Sequence, residues 1–314
     1  MEVSDDVFEF FWSEMDRKYA YFDEKGIDWN GIYSACHRRA KAADEAVLLQ
    51  VFQEIIDTLK DGHVTLSTPD TTLYYDWGKG KDEIVTMYNI ASYYDFPPQE
   101  KFDVDSSYNI VQLHNDITFI SLYNFSSRFR FQNFQSIMAS YACSKGIIIN
   151  VRGNRGGDLR NVTEWSSCFF TGRRTAFYEK HKIGSGHSDF TGYIPVEITG
   201  RGVVDEKIPV VLLVGVYTYS GANLFAGIMK HLPNVTLMGT ATGGGGSARP
   251  TAVLPNGWRC TYSQAPMYDI CYSSLEQGVT PHYNIPSTIK DVEEMQQTGV
   301  NKLMEAAYQY LLNK

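Results

Sequence analysis

Several signatures are missing from this sequence, and each absence narrows the function. There is no C-x-x-C pair and no H-E-x-x-H, so the common zinc frameworks have no ligand spacing to stand on. No G-x-x-x-x-G-K-[ST] occurs, which weakens a nucleotide-phosphate site. Lys and Arg number 28 against 36 Asp and Glu, for a net charge of −8, and no basic cluster stands out. Phosphate backbones demand such a cluster, so nucleic acid is not an expected partner. The longest apolar run, Ile208 to Val216, is far short of the roughly 20 residues a helix needs to span a bilayer. The opening MEVSDDVFEF is acidic and lacks a signal-peptide layout. The five cysteines, an odd number, exclude a dense disulfide framework. Cys260 and Cys271 read either as a pair across a hairpin or as two small buried residues. No metal or other cofactor is expected.

What is present describes a folded chain. Apolar residues make up 43% and charged residues 20% of 314, against the low apolar content of disordered chains. At roughly 150 residues per domain this is one large or two ordinary domains. Residues 4–60 read as helices: Phe8, Phe11, Trp12, Met15 and Tyr19 recur at helical spacing, and Asp44 is placed to cap a second amphipathic helix. That helix is expected to stop at the glycine of Lys60-Asp-Gly-His63, before a short strand at Val64–Thr68. From residue 116 strands alternate with helices: Ile117–Phe125, Lys145–Val151, Val210–Val216 and Val235–Gly239 as strands, and Phe131–Tyr141, Leu159–Phe170 and Gly221–His231 as helices. That alternation argues an α/β domain. His181 and His187 flank a glycine loop with no Cys or carboxylate at ligand spacing, and read as a solvated loop. Asn124, Asn161 and Asn234 begin glycosylation triplets, which are frequent by chance.

Three segments put unusual residues at the ends of regular elements. In Tyr217-Thr-Tyr-Ser220-Gly-Ala a serine lies between a buried strand and a helix. The helix dipole favours negative charge there, so Ser220 suits a nucleophile with the Gly221 N–H as oxyanion donor. Serine is also among the commonest plain N-caps. In Asn150-Val-Arg-Gly-Asn-Arg-Gly156-Gly157-Asp, paired glycines after a strand fit an oxyanion hole, a phosphate nest or a tight turn. His63 follows a glycine at a helix-to-strand junction, as a general base or a structural histidine.

Taken in order, these segments resemble the C-terminal processing and tricorn-core superfamily of serine peptidases, which includes the interphotoreceptor retinoid-binding protein repeats. FFWSEMDRKYAYFDEKGIDWNGIY and LLQVFQEIIDTLKDGHVTL are similar to the helical lead-in of the tricorn-like branch. INVRGNRGGDL, TYSGANLFAGIMKHLPNVTLMGTATGGGG and LEQGVTPHYNIP are similar to the three protease-domain signatures. The resemblance implies a ClpP/crotonase-like α/β protease domain at 116–314, behind a helical N-terminal domain at 1–66. Residues 67–115 would be a short strand-and-loop connection, too short for the PDZ domain that processing peptidases usually carry.

The resemblance also implies roles. Ser220 matches the nucleophile, Gly221 with Gly156 or Gly157 the oxyanion hole, His63 the base and Glu276 the acid that orients it, unless Glu276 is an exposed loop carboxylate. The lysine of the Ser/Lys branch falls on Gly245, so that dyad fails. Two departures are Asn223, where the family often has Glu, and His282, where it usually has Asp. The expected activity is peptide-bond hydrolysis through an acyl-enzyme on a peptide or protein substrate. A non-catalytic hydrophobic-ligand or peptide-binding protein on the same fold is the alternative. An acyl-CoA enzyme of the crotonase type lacks a recognisable CoA-phosphate site. Family habit implies export to the periplasm or cell envelope, or the cytoplasm as in archaeal relatives.

Overall fold

The computed structural model describes residues 2–41, 43–78, 102–104 and 107–314. The expectation of a connection without a PDZ domain at 67–115 falls mostly on 79–101 and 105–106, which lie outside the described residues. The chain forms two compact units, each discontinuous in sequence. One comprises residues 1–79, 178–194 and 247–268, the other 80–177, 195–246 and 269–314.

The first unit is built on the aromatic periodicity of its helices. Phe8, Phe11, Met15 and Tyr19 are fully buried along one face of Glu2–Lys18 and its continuation. Phe11 meets Phe52 of the helix Glu45–Leu59 edge-on at 4.9 Å between centroids. Asp44 caps that helix by accepting the Val47 N–H. Its C-cap is Lys60, at φ 48, and not the expected glycine: the Lys60 N–H closes the last turn on Ile56 O before Gly62 is reached. The chain then enters Thr65–Ser67, an inner strand of a four-stranded antiparallel sheet between Arg259–Thr261 and Thr72–Tyr74. The 181–187 loop is exposed at most of its residues, as expected of a solvated loop, but His187 is half-buried. His187 Nε2 lies 2.9 Å from Asp16 Oδ1 and its ring packs on Phe22, so a carboxylate distant in sequence supplies the partner.

The second unit is a seven-stranded sheet ordered Tyr283–Asn284, Val235–Gly239, Val210–Val214, Gly146–Asn150, Ile117–Leu122, Tyr108–Leu113, Phe102–Val104. The first five strands run parallel and the last two join antiparallel. Val210–Val214 is buried at every residue, as a parallel strand covered on both faces must be. One face packs Phe119, Ile148, Val211 and Leu213 on Leu303, Met304, Ala307 and Leu311 of the helix Lys302–Leu312. The helix Gly221–Lys230 is buried from Ala222 to Met229, which explains its apolar composition all round. The helix expected over Leu159–Phe170 ends at Ser167, because Cys168 caps it. No helix among the described residues is long and apolar enough to cross a membrane.

Candidate active site

Three loops leave the carboxyl ends of neighbouring parallel strands: 151–158, 215–220 and 240–246. Open parallel sheets place ligands in the crevice at those ends. Ser220 stands at the N-cap position of Gly221–Lys230 but is not a capping serine. Its φ is 55 and ψ −122, and its side chain makes no cap hydrogen bond. A non-glycine residue held at positive φ costs on the order of 1–3 kcal/mol and persists only where its surroundings over-determine it. Here they do. The Ser220 N–H donates to Gly244 O at 2.9 Å and the Tyr219 N–H to Asn154 O at 3.1 Å. Thr218 Oγ1 donates to Val151 O at 2.9 Å while accepting the Gly215 N–H. All three loops are thereby tied to the serine.

The paired glycines lie directly against it. A Cβ on Gly156, whose φ is 95, would sit 2.5 Å from Gly221 N and 2.9 Å from Ser220 Cβ. Only glycine lets the loops meet. The Gly156 N–H is already committed to Asn154 Oδ1 at 2.9 Å. The Gly157 and Gly221 amides lie close together, a Gly221 Cβ falling 3.1 Å from Gly157 N. Neither of these N–H groups donates to a protein acceptor among the described residues.

Glu276 sits in the single turn Leu275–Gln277, half-buried, with Oε2 accepting the Gly246 N–H at 3.1 Å. The glycines at 244–246 are wedged between the serine loop and this turn. A Cβ would fall 2.1 Å from Glu276 O at Gly244, 2.6 Å from the Tyr219 ring at Gly245 and 2.6 Å from Glu276 N at Gly246. The position where the other branch carries lysine thus has no room for a side chain. Thus Ser220, Gly221, Gly156, Gly157 and Glu276 are brought into one loop cluster.

His63 belongs to the other unit and is described there. It is 3% exposed. Its backbone N–H donates to Asp61 Oδ1 at 2.8 Å and its backbone carbonyl accepts the Thr261 hydroxyl at 2.7 Å. Burial pushes the imidazole down to about 4, against the pull of the Asp61 carboxylate, and Arg249 and Lys25 add to the lowering. The ring is neutral at pH 7, able to accept a proton.

Sequence reasoning missed two asparagines that build the site. Asn154, 1% exposed, holds the glycine loop to the sheet through Leu122 O at 3.0 Å as well as accepting from Gly156. Asn223, fully buried, donates to Leu275 O at 2.7 Å and accepts the Thr242 hydroxyl at 2.6 Å. It ties the serine helix to the residue before Glu276; its only sequence signal was its departure from the family pattern. His282, the other departure, accepts the Leu237 N–H on Nδ1 and donates its backbone N–H to Leu237 O. Burial, first, and the positive charge of Lys230 lower its pKa. Both Cys260 and Cys271 are free thiols; Cys260 is buried, with its pKa raised to about 12 by burial, and Cys271 is exposed.

Beside the glycine loop opens a cavity of about 680 Å³ lined by Ser126, Arg128, Phe131, Asp158, Arg160 and Arg201. Asn161, buried beneath it, donates to Phe125 O and Ser127 O and accepts the Phe129 N–H. Its glycosylation triplet is therefore spent on structure.

Residues 116–285 match the model of peptidase family S41, and residues 5–57 match that of the tricorn protease C1 domain. No curated protein matches the chain. A solved structure of a candidate peptidase from Parabacteroides merdae ATCC 43184 is similar at 29% identity and TM-score 0.87, over 98% of this chain and 96% of that one. Mature CPAF complexed with lactacystin is similar at 11% identity and TM-score 0.76, over 100% and 99%. The photosystem II D1 C-terminal processing protease is similar at 13% identity and TM-score 0.58, over 90% and 92%. At such identities the last two speak for the fold alone.

Proposed function

Because the chain belongs to peptidase family S41 and is a serine-type peptidase, we propose that it cleaves peptide bonds through Ser220, His63 and Glu276. The observation that carries the reading is the strained Ser220 backbone, held beside the Gly157 and Gly221 amides. A capping serine has no use for that conformation; a nucleophile presented to a carbonyl does.

The chemistry then runs as follows. Ser220 Oγ attacks the scissile carbonyl carbon while neutral His63 takes its proton. The oxyanion that forms is received by the Gly157 and Gly221 N–H groups, each worth roughly 3 kcal/mol to the transition state. Gly156 acts by leaving space, since its own amide is bound to Asn154. The imidazolium gives its proton to the departing amine, and the acyl-Ser220 ester remains. Water, deprotonated by His63, releases the second product. Glu276, still half-buried and anchored on Gly246, stabilises the imidazolium and sets its tautomer. The arginine-lined cavity begins one residue from Gly157, at Asp158, and would receive substrate residues flanking the cleaved bond. Export to the cell envelope remains part of the proposal, and fractionation of the cells that make the protein tests it.

Ser220→Ala should abolish peptide turnover and fluorophosphonate labelling while leaving the melting temperature within a degree or two. A mutant that cleaves at the wild-type rate would sink the assignment. A wild-type protein that is never labelled between about pH 6 and 9, where a histidine base is neutral, would point instead to a binding protein on this fold.

A further inference from the structure

A second group of reactive side chains lies in the Ser220 unit, outside the proposed triad. His231, Asp269 and Cys271 each present one ligand atom, all within 4.8 Å of one another. His231 and Asp269 are half-buried and Cys271 is exposed. The sequence gives no metal-site spacing, because 38 residues separate His231 from Asp269.

The arrangement has the features of a cation site. Asp269 is pre-oriented: Oδ1 accepts the Cys271 N–H at 2.8 Å and the Ser273 N–H at 2.9 Å. That leaves Oδ2 facing His231 Nε2 at 3.1 Å. Such fixing of a carboxylate by its neighbours is how ligands are held ready for a metal. His231 is the C-cap of Gly221–Lys230, and the negative end of a helix dipole favours a cation. The donors are one imidazole nitrogen, one carboxylate oxygen and one thiol sulfur. This set suits a borderline-soft ion such as Zn²⁺ and not the all-oxygen shells of Mg²⁺ or Ca²⁺. Zinc bonds of about 2.0 Å to N and O and about 2.3 Å to S put tetrahedral ligand atoms roughly 3.3–3.6 Å apart. The cluster closes to that size by a shift of about 1 Å, and Cys271 can supply it from an exposed turn.

We propose that His231, Asp269 and Cys271 bind one Zn²⁺-type ion, with water completing four-coordination. Binding releases the Cys271 thiol proton to solvent; the His231 ring passes from its Nε2–H to its Nδ1–H tautomer with no net loss of a proton, and the ion takes the vacated Nε2 position facing Asp269. The helix capped by His231 begins at Ser220, and the turn holding Asp269 and Cys271 runs on to Glu276. The ion would therefore pin the serine helix to the acid-bearing loop. That consequence rests on the proposed triad; the binding does not.

The test is titration of the metal-stripped intact protein with Co²⁺, then Zn²⁺. One equivalent of Co²⁺ should produce thiolate-to-cobalt absorption that Zn²⁺ abolishes, and Zn²⁺ should raise the melting temperature. Cys271→Ser, at an exposed position, should fold normally and lose the absorption. His231→Gln should weaken Zn²⁺ binding by at least about tenfold with an unchanged circular dichroism spectrum. No thiolate absorption in the wild type, or equal Zn²⁺ affinity in all three proteins, would overturn the site. Zinc that binds through these residues yet leaves peptide turnover unaltered would overturn the coupling to Ser220 and Glu276 alone.

Discussion

Replacing His63 by Gln should remove a pH-dependent contribution to stability of about 3 kcal/mol, and the magnitude follows from burial. The wild-type ring is 3% exposed and its pKa is pushed from 6.5 to about 4. In the unfolded chain it titrates near 6.5. Between those values the unfolded state binds a proton that the folded state does not. The stabilising contribution of the neutral ring is therefore complete above about pH 6.5, is lost as pH falls towards 4, and does not change further below that. A displacement of this size corresponds to about 3 kcal/mol. Urea unfolding of wild type and His63→Gln at steps between pH 4 and 8 measures it. The difference between their two stability curves should change by about 3 kcal/mol across that window. Parallel curves would refute the argument that desolvation governs this histidine.

Two further substitutions probe the loops. Gly156→Ala forces a Cβ to 2.5 Å from Gly221 N at φ 95; it should cost on the order of 2–3 kcal/mol in stability and about 100-fold or more in kcat, read from thermal melting and peptide kinetics. Asn223→Ala strips the buried Leu275 carbonyl and Thr242 hydroxyl of a partner. It should cost about 2 kcal/mol and lower kcat more than it alters KM, because it loosens the turn that carries Glu276.

Much of the second unit was legible because its strands are short, continuous apolar runs. Gly146–Asn150 and Val210–Val214 announce themselves by Ile-Ile-Ile and Val-Val-Leu-Leu, since a parallel strand buried on both faces leaves no polar alternation to blur it. Thr171–Glu179 and Ile194–Arg201 went unread because their exposed residues carry charge and threonine and interrupt any apolar pattern. The Lys60 cap was hidden for a different reason: left-handed backbone at a lysine is a tertiary outcome, whereas glycine carries its propensity in its name. Cys260 and Cys271, read either as a pair or as two buried residues, are free thiols, one buried and one exposed, which local sequence does not separate.

The sequence by itself marked the positions proposed for the chemistry. Ser220 between a buried strand and an apolar helix and two glycines after Asn154 are local patterns, and local backbone demands are written in residue type; Glu276 came only through the family resemblance. The sequence also determined the helical lead-in, through aromatic spacing. Only the tertiary structure decided which amides are spent and which remain to donate, since Asn154 takes the Gly156 N–H across the loop and leaves Gly157. Only it decided that 178–194 and 247–268 group with the N-terminal helices, and that His231, Asp269 and Cys271 converge. Hydrogen bonds and contacts between residues far apart in the chain make those choices, and no local pattern encodes them.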